Sequence, residues 1–238
     1  MTLSKPPIKE AILEVLFDHG RSIEYSEFKQ FREVLGDEFY RHENLVQIGG
    51  TLSDSISSVE RKTIGIAFYT KDNVSIQARE NGFAFSFLNQ KYTSWDSFYP
   101  EAIKFLDKYI IHFRPQIWRR FSLRFINEFI LEPGETVSTY LTIVPPNPIQ
   151  KPLISSFIRM EVFDAVSAAS GVINELLQVD VSGQQKLYLD IDVIKNVIPT
   201  AGNAIIDMRD DFAALRTFKN EIFFASITPF AIDKYNSL

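Results

Sequence analysis

The stretch QIWRRFSLRFINEFIL, residues 116–131, decides the fold, because large apolar and polar side chains alternate along most of it. Alternation with a period of two is typical of a β-strand that has one face in a hydrophobic core. The predicted core face carries Phe121, Leu123, Phe125 and Phe129. The predicted opposite face carries Trp118, Arg120, Arg124 and Glu128.

The residues before this strand predict a two-layer unit of their own. Apolar side chains recur every second residue in its strands and every third or fourth residue in its helices. Asn81-Gly82 is a strong hairpin signal, and Thr93 with Asp96 predicts a helix start. The predicted order is strand 8–18, helix 24–39, a weak strand 45–52, strands 64–68, 74–78 and 83–87, and helix 93–113.

The residues after this strand repeat part of that order. Where the first unit has its first helix, the second has residues 132–152, and the prolines there predict that no helix forms. Elsewhere the pattern predicts strands over 157–163, 172–181 and 186–194 and a helix over 207–227. The last helix mixes Arg209, Arg216 and Lys219 with acidic residues, which is typical of an exposed face without a specific function.

The predicted fold class is therefore α+β, with two degenerate strand–helix–meander–helix units. We place the first half at residues 1–114 and the second at 115–238, with a Pro-rich insertion at 132–152. A mostly antiparallel sheet with helices on one face fits this order, and the order allows an arrangement like that of the TATA-box-binding protein. The two sheets either join edge to edge or face each other across a groove.

Composition excludes several classes of function. The chain has 238 residues, no cysteine and a net charge of −5. Thiolate nucleophiles, zinc–thiolate sites and iron–sulfur clusters are therefore excluded, and the negative charge disfavours nucleic acid as a partner. The N-terminus lacks the pattern of a signal peptide, and no apolar run approaches the roughly 20 residues of a membrane span. We expect a cytoplasmic protein without a membrane partner.

Arg120, Arg124 and Trp118 form the first candidate ligand-binding site. Two guanidinium groups on one strand face could hold a phosphate or carboxylate through paired donors, and Trp118 would offer a stacking surface. In the alternative, the two arginines form ion pairs with Glu128 and with carboxylates on the neighbouring strand.

Asp190 and Asp192 are the second candidate pair. They share a predicted strand face with Tyr188, and two carboxylates on one face could bind a divalent cation or, when close, share a proton. Neighbouring side chains on one strand face lie about 7 Å apart, which is long for a shared proton. The alternative is an acidic outer face that opposes Arg120 or Arg124.

No catalytic, metal or cofactor motif is recognisable. The three histidines have no ligand spacing, and the chain has neither a nucleophile elbow nor a Gly-rich phosphate loop. We therefore expect no catalytic residues, no metal and no cofactor.

Three motifs carry a family resemblance, PPIKEA at 6–11, RFSLRFIN at 120–127 and LDIDV at 189–193. They resemble Pro-Pro-Ile-x-Glu-Ala, Arg-x-Gly-Leu-Arg-Tyr-Ile-Asn and Leu-Asp-Ile-Asp-Val of a sporadically distributed bacterial family of uncharacterised proteins. Ser122 replaces the family's Gly and Phe125 its Tyr. The resemblance implies accessory biology, such as defence against phage, and no particular activity.

Together these features predict a non-enzymatic binding or interaction protein. A protein partner or self-association is expected, and a small anionic ligand is possible. The alternative is an enzyme that acts on a phosphorylated or carboxylated small molecule, with Arg120 and Arg124 holding the anion and Asp190 or Asp192 as base or metal ligand.

Overall fold

A computed structural model describes residues 3–53, 56–197 and 208–236. The strands are β1 (Ile8–Asp18), β2 (Arg41–Ser53), β3 (Ile56–Tyr69), β4 (Val74–Arg79), β5 (Gly82–Phe87), β6 (Ile117–Ile130), β7 (Ser156–Asp164), β8 (Ala169–Val179) and β9 (Gln185–Asn196). The helices are α1 (Tyr25–Leu35), α2 (Trp95–Phe113), α3 (Val137–Tyr140), α4 (Met208–Ser226) and α5 (Pro229–Asn236). Residue 207, where the last helix was predicted to begin, lies outside the described residues.

The strands form one nine-stranded sheet in the order β2-β3-β4-β5-β1-β6-β9-β8-β7. All pairings between neighbouring strands are antiparallel. The strands of residues 1–114 occupy one side of the sheet and those of 115–238 the other. They meet where β1 pairs with β6, so the two halves join edge to edge.

One face of this sheet forms the core. Leu13 lies opposite Leu123 across the central pair, and both are fully buried. The helices of both halves pack on this same face: Phe85 on β5 contacts Phe98 of α2, and Phe121 on β6 contacts Phe212 of α4. The predicted α+β class and the predicted core face of β6 are confirmed.

Local capping explains where α1 begins and ends and where α2 begins. Glu24 and Glu27 form a capping box at the start of α1, which ends at Gly36 with a φ of 110°. The N-cap of α2 is Ser94, whose hydroxyl accepts a hydrogen bond from the Ser97 amide, and not the predicted Thr93.

The Pro-rich insertion contains one helical turn that the sequence did not predict. Thr136 caps α3 (Val137–Tyr140), and this four-residue turn lies between the prolines. Tyr140 is fully buried and stacks near Phe129, so the turn is held by packing. Prolines exclude a long helix here and still leave room for a single turn.

Within the described ranges, no helix is long and apolar enough to cross a bilayer.

Shortening Leu13 tests the division of the sheet into a core face and an outer face. Leu13→Ala should lower the free energy of unfolding by about 2–5 kcal/mol, because it leaves a cavity in the core. Urea unfolding followed by circular dichroism measures this loss. Ile12→Ala, on the opposite face of the same strand, is the matched control and should cost less than half as much. Equal losses would contradict the division.

Candidate functional site

Arg124 and Asp190 face each other on the outer face of the sheet, the face without helices. Nε of Arg124 donates to Oδ1 of Asp190 at 2.8 Å, and Nη2 donates to Oδ2 at 2.7 Å. Asn174 donates to the same carboxylate at 3.2 Å. This fork geometry is the strongest form of an arginine–carboxylate pair. Arg124 is thus already engaged by a carboxylate on the neighbouring strand.

Arg120 is held by Glu14 on β1. Arg79 donates to one oxygen of Glu14 at 2.5 Å, and Arg120 donates to the other. Burial opposes ionisation of Glu14, but the two guanidinium groups outweigh it and lower the pKa of Glu14. One carboxylate therefore bridges two arginines.

Trp118 lies on the core face, so its predicted placement beside the arginines is wrong. Leu16 is opposite Arg120 and Phe17 is opposite Trp118, which leaves Arg119 as an extra residue on β6. Such a β-bulge reverses the alternation of faces. The Trp118 ring contacts the core residue Phe17, with 4.8 Å between the ring centroids. It therefore offers no stacking surface beside the two arginines.

Asp190 and Asp192 have separate partners. Asp192 accepts a hydrogen bond from Ser122 at 2.5 Å, and burial raises the pKa of Asp192. Glu128 does not pair with an arginine; it accepts from Lys9 and from Tyr188, both at 2.6 Å. Among the described residues, no group of three or more His, Cys, Asp or Glu side chains is arranged to hold a metal ion. The charged side chains of β1, β6 and β9 on this outer face are thus engaged with one another, although Nε of Arg79 and Nε of Arg120 have no hydrogen-bond partner among the described residues.

A cavity of about 370 Å³ lies on the other side of the sheet, between the N-terminal segment, the start of α2 and α4. Sequence reasoning did not predict this site. Its lining is Leu3, Pro6, Ile8, Tyr92, Thr93, Ser94, Trp95, Asp96, Asn127, Arg216, Lys219, Asn220, Phe223 and Phe224. A volume of this size suits a small molecule.

Lys219 is the unusual member of that lining. The sequence pattern placed it on an exposed face of mixed charge, but its residue is only 7% exposed. Its position fits the apolar stripe of α4, because it follows Phe212 and Leu215 and precedes Ile222 at helical spacing. That spacing was the signal for its burial.

The ammonium group of Lys219 has no anionic partner in the described part of the chain. No hydrogen bond or ion pair joins it to another side chain there, and its Nζ lies over the ring of Phe125, 4.1 Å from the centroid. Burial, with a smaller contribution from Arg216, lowers the pKa of Lys219 to about 7. A buried cation without a counter-ion is costly.

Other donors surround the same cavity. Arg216, one turn before Lys219 on α4, lies over the Trp95 ring at 5.2 Å. The N-terminus of α2 begins at Trp95, where the helix dipole favours negative charge. Asn127 is buried and donates to the Leu189 carbonyl at 3.0 Å, so its amide is engaged by the backbone of β9. The lining contains one carboxylate, on the exposed Asp96.

No family model and no curated protein matches this chain. The geometry of these two regions is therefore the basis of the functional argument.

Removing the charge of Glu14 tests whether the outer-face arginines depend on it. Glu14→Gln should lower the free energy of unfolding by about 1–3 kcal/mol at pH 7, because two half-buried guanidinium groups lose a charged acceptor. Since the pKa of Glu14 is lowered from its ordinary value of 4.5 in the folded protein, this difference should shrink as the pH falls below 4.5 and be lost below the folded-state pKa.

The measurement is urea unfolding of wild type and variant at pH 7 and near pH 3. Glu43→Gln is the matched control, because the Arg41–Glu43 pair is exposed and 3.8 Å apart. That control should change stability by less than about 0.5 kcal/mol. If both variants behave alike, the bridge does not stabilise the fold.

Proposed function

We propose that this protein is a non-enzymatic binding protein whose cavity at Lys219 takes a small anionic ligand. A carboxylate or a phosphate group would lie against the ammonium of Lys219. The observation that carries the proposal is the burial of Lys219 in the wall of a cavity without an anionic partner among the described residues.

The energetic argument starts from the cost of that buried cation. Desolvation disfavours the charged amine, and a bound anion would offset this cost because it supplies both an opposite charge and hydrogen-bond acceptors. Arg216 would add a forked guanidinium donor, and the first turn of α2 would add backbone amides. Three independent cationic or dipolar features of the cavity therefore favour an anion, against one exposed carboxylate, Asp96.

Binding is favoured over catalysis by what the lining contains. It has no histidine and no cysteine, and its one acidic side chain, Asp96, lies at the solvent-exposed start of α2. A nucleophile with an adjacent base is the usual signature of covalent catalysis, and the lining lacks that pair. The alternative enzyme, built on Arg120 and Arg124, has less support because Glu14 and Asp190 already occupy those guanidinium groups.

We further propose that the fold arose by duplication, with an order like that of the TATA-box-binding protein. The strand order supports this proposal, because β2-β3-β4-β5-β1 is followed by β6-β9-β8-β7 with β1 and β6 at the centre. In each half a 19-residue helix, α2 or α4, lies on the core face. Among the described residues, the second half has one strand fewer than the first, and the four-residue turn α3 stands where the first half has α1. The cavity would then lie where the two related halves meet.

The biological setting is proposed from the family resemblance alone. The motifs at 6–11, 120–127 and 189–193 support membership of the sporadically distributed bacterial family, and with it an accessory role in the cytoplasm, such as defence against phage.

Titration with sulfate and with acetate tests the ligand class. The chain has two tryptophans; Trp95 lines the cavity and Trp118 does not. Both anions should shift the indole N–H signal of Trp95 in proton–nitrogen NMR spectra and leave that of Trp118 unchanged. Lys219→Met should weaken binding at least about tenfold, since it removes the charged partner of the anion.

The pH dependence of sulfate affinity is a second test of the role of Lys219. The pKa of Lys219 is about 7, so above that pH an anion must bind together with a proton. Sulfate affinity should fall about thirtyfold from pH 6 to pH 8.5 in wild type and stay nearly constant in Lys219→Met. Lys104→Met, an exposed lysine on α2, is the control and should bind like wild type. Equal shifts of both tryptophans, no shift at all, or wild-type affinity in Lys219→Met would each overturn the proposal.

A further inference from the structure

The edge strand β7 (Ser156–Asp164) lies at one end of the sheet, with β8 as its single strand neighbour. Its side chains are unusually apolar for an edge. Phe157 is 64% exposed and Phe163 is 68% exposed, and both lie on the outer face. Exposed edges invite pairing with another strand, because their backbone N–H and C=O groups are unpaired.

This edge lacks the usual protection against pairing. Its nine residues, SFIRMEVFD, contain no proline, no lysine and no register shift. The opposite edge differs: where β2 pairs with β3 the register shifts between Leu45 and Val46, and β2 begins with Arg41, His42 and Glu43. Bulges and charges are the common devices that block edge pairing. β7 also carries charges, Arg159 and Glu161, but it has neither a proline nor a register shift against β8.

The sequence of β7 is complementary to itself when reversed. Around Met160, the midpoint of the strand, the flanking residues are Arg159 and Glu161, then Ile158 and Val162, then Phe157 and Phe163. Opposite charges thus lie at equal distances from the centre, and so do apolar side chains of similar size. Neither Arg159 nor Glu161 has an ion-pair partner in the described ranges.

We propose that β7 pairs antiparallel with β7 of a second copy of this chain, across a two-fold axis at Met160. In this register Arg159 lies opposite the partner's Glu161, and Phe157 lies opposite the partner's Phe163. The symmetry repeats each of these contacts. All nine residues of the strand find a partner, and two nine-stranded sheets become one continuous sheet.

The occupant is a second copy and not an unrelated strand because the charge pattern selects it. An unrelated strand could satisfy the backbone, but its side chains would not in general oppose Arg159 with an acid and Glu161 with a base. Cross-strand pairs of opposite charge and of aromatic rings stabilise a sheet, and like charges opposite each other destabilise it. This inference is independent of the cavity at Lys219.

A charge exchange within β7 tests the register. In Arg159→Glu, the new acid lies opposite the partner's Glu161, and the two-fold axis creates this repulsive pair twice. In Glu161→Arg, the new base lies opposite the partner's Arg159, again twice. Each single variant should raise the dimer dissociation constant at least about tenfold, because two attractive pairs become repulsive. The double variant Arg159→Glu/Glu161→Arg restores both pairs with reversed sense and should dimerise within about threefold of wild type. Sedimentation velocity of the full chain measures the species present.

The controls separate this interface from a general effect of charge. Arg41→Glu changes an exposed arginine on the other edge strand and should leave the dimer intact. Circular dichroism verifies that each variant is folded. A wild-type chain that sediments only at its monomer mass of 27.3 kDa at 100 µM would overturn the inference. So would single variants that dimerise like wild type, or a double variant that remains as weak as the single ones.

Discussion

The pairing of β1 with β6 is the constraint on which the rest of the molecule depends. It runs from Ile8 opposite Asn127 to Asp18 opposite Ile117 and joins the first and second halves of the chain into one sheet. Because the two halves share a sheet, their helices pack on the same core face. Leu13 and Leu123 are fully buried at the centre of that face. The outer face of the same sheet is left without helices. Both regions with clustered charge follow from this arrangement.

The two faces handle charge in opposite ways. On the outer face Arg120 and Arg124 lie close to carboxylates of neighbouring strands, Glu14 and Asp190, so sheet register supplies a partner for both of these arginines. On the core face Lys219 projects from α4 towards Phe125, where neighbouring side chains are apolar. No ion pair joins Lys219 to a carboxylate in the described part of the chain, and the buried carboxylate of Glu175 on the same face has no hydrogen-bond partner there. An ion pair that is already formed stabilises the fold, whereas an unpaired buried cation beside a cavity is better suited to an external anion.

The sequence alone predicted those strands and helices in which apolar residues recur regularly because one face is buried. The strand alternation of β1, β6 and β9 and the helical spacing of α1 and α2 were recovered, because each has one apolar face. Periodicity does not report neighbours, so the edge-to-edge joining through β1 and β6 was left open. The bulge at Arg119 shifts Trp118 to the core face, and a single extra residue has no signature in an alternating pattern.

The candidate site was predicted only in part for the same reason. Ion pairing of Arg124 with a neighbouring strand was one of the two alternatives, but the identity of Glu14 as the partner of Arg120 depends on register. Lys219 was assigned to an exposed face because charge outweighed its helical position. Its helical spacing from Phe212 and Ile222 placed it on the buried stripe of α4. The packing in the structure shows that this spacing, and not its charge, determines its burial.

The central claim is that β1 and β6 hold both halves in one cooperative sheet. Native-state hydrogen exchange, followed by mass spectrometry of peptides that cover each strand, tests it most directly. Because the slowest amides exchange through global unfolding, peptides from β1 and β6 should be the last to exchange and should report the same opening free energy. If β1 lost its protection while β6 and β9 kept theirs, the halves would unfold separately and the claim would be wrong.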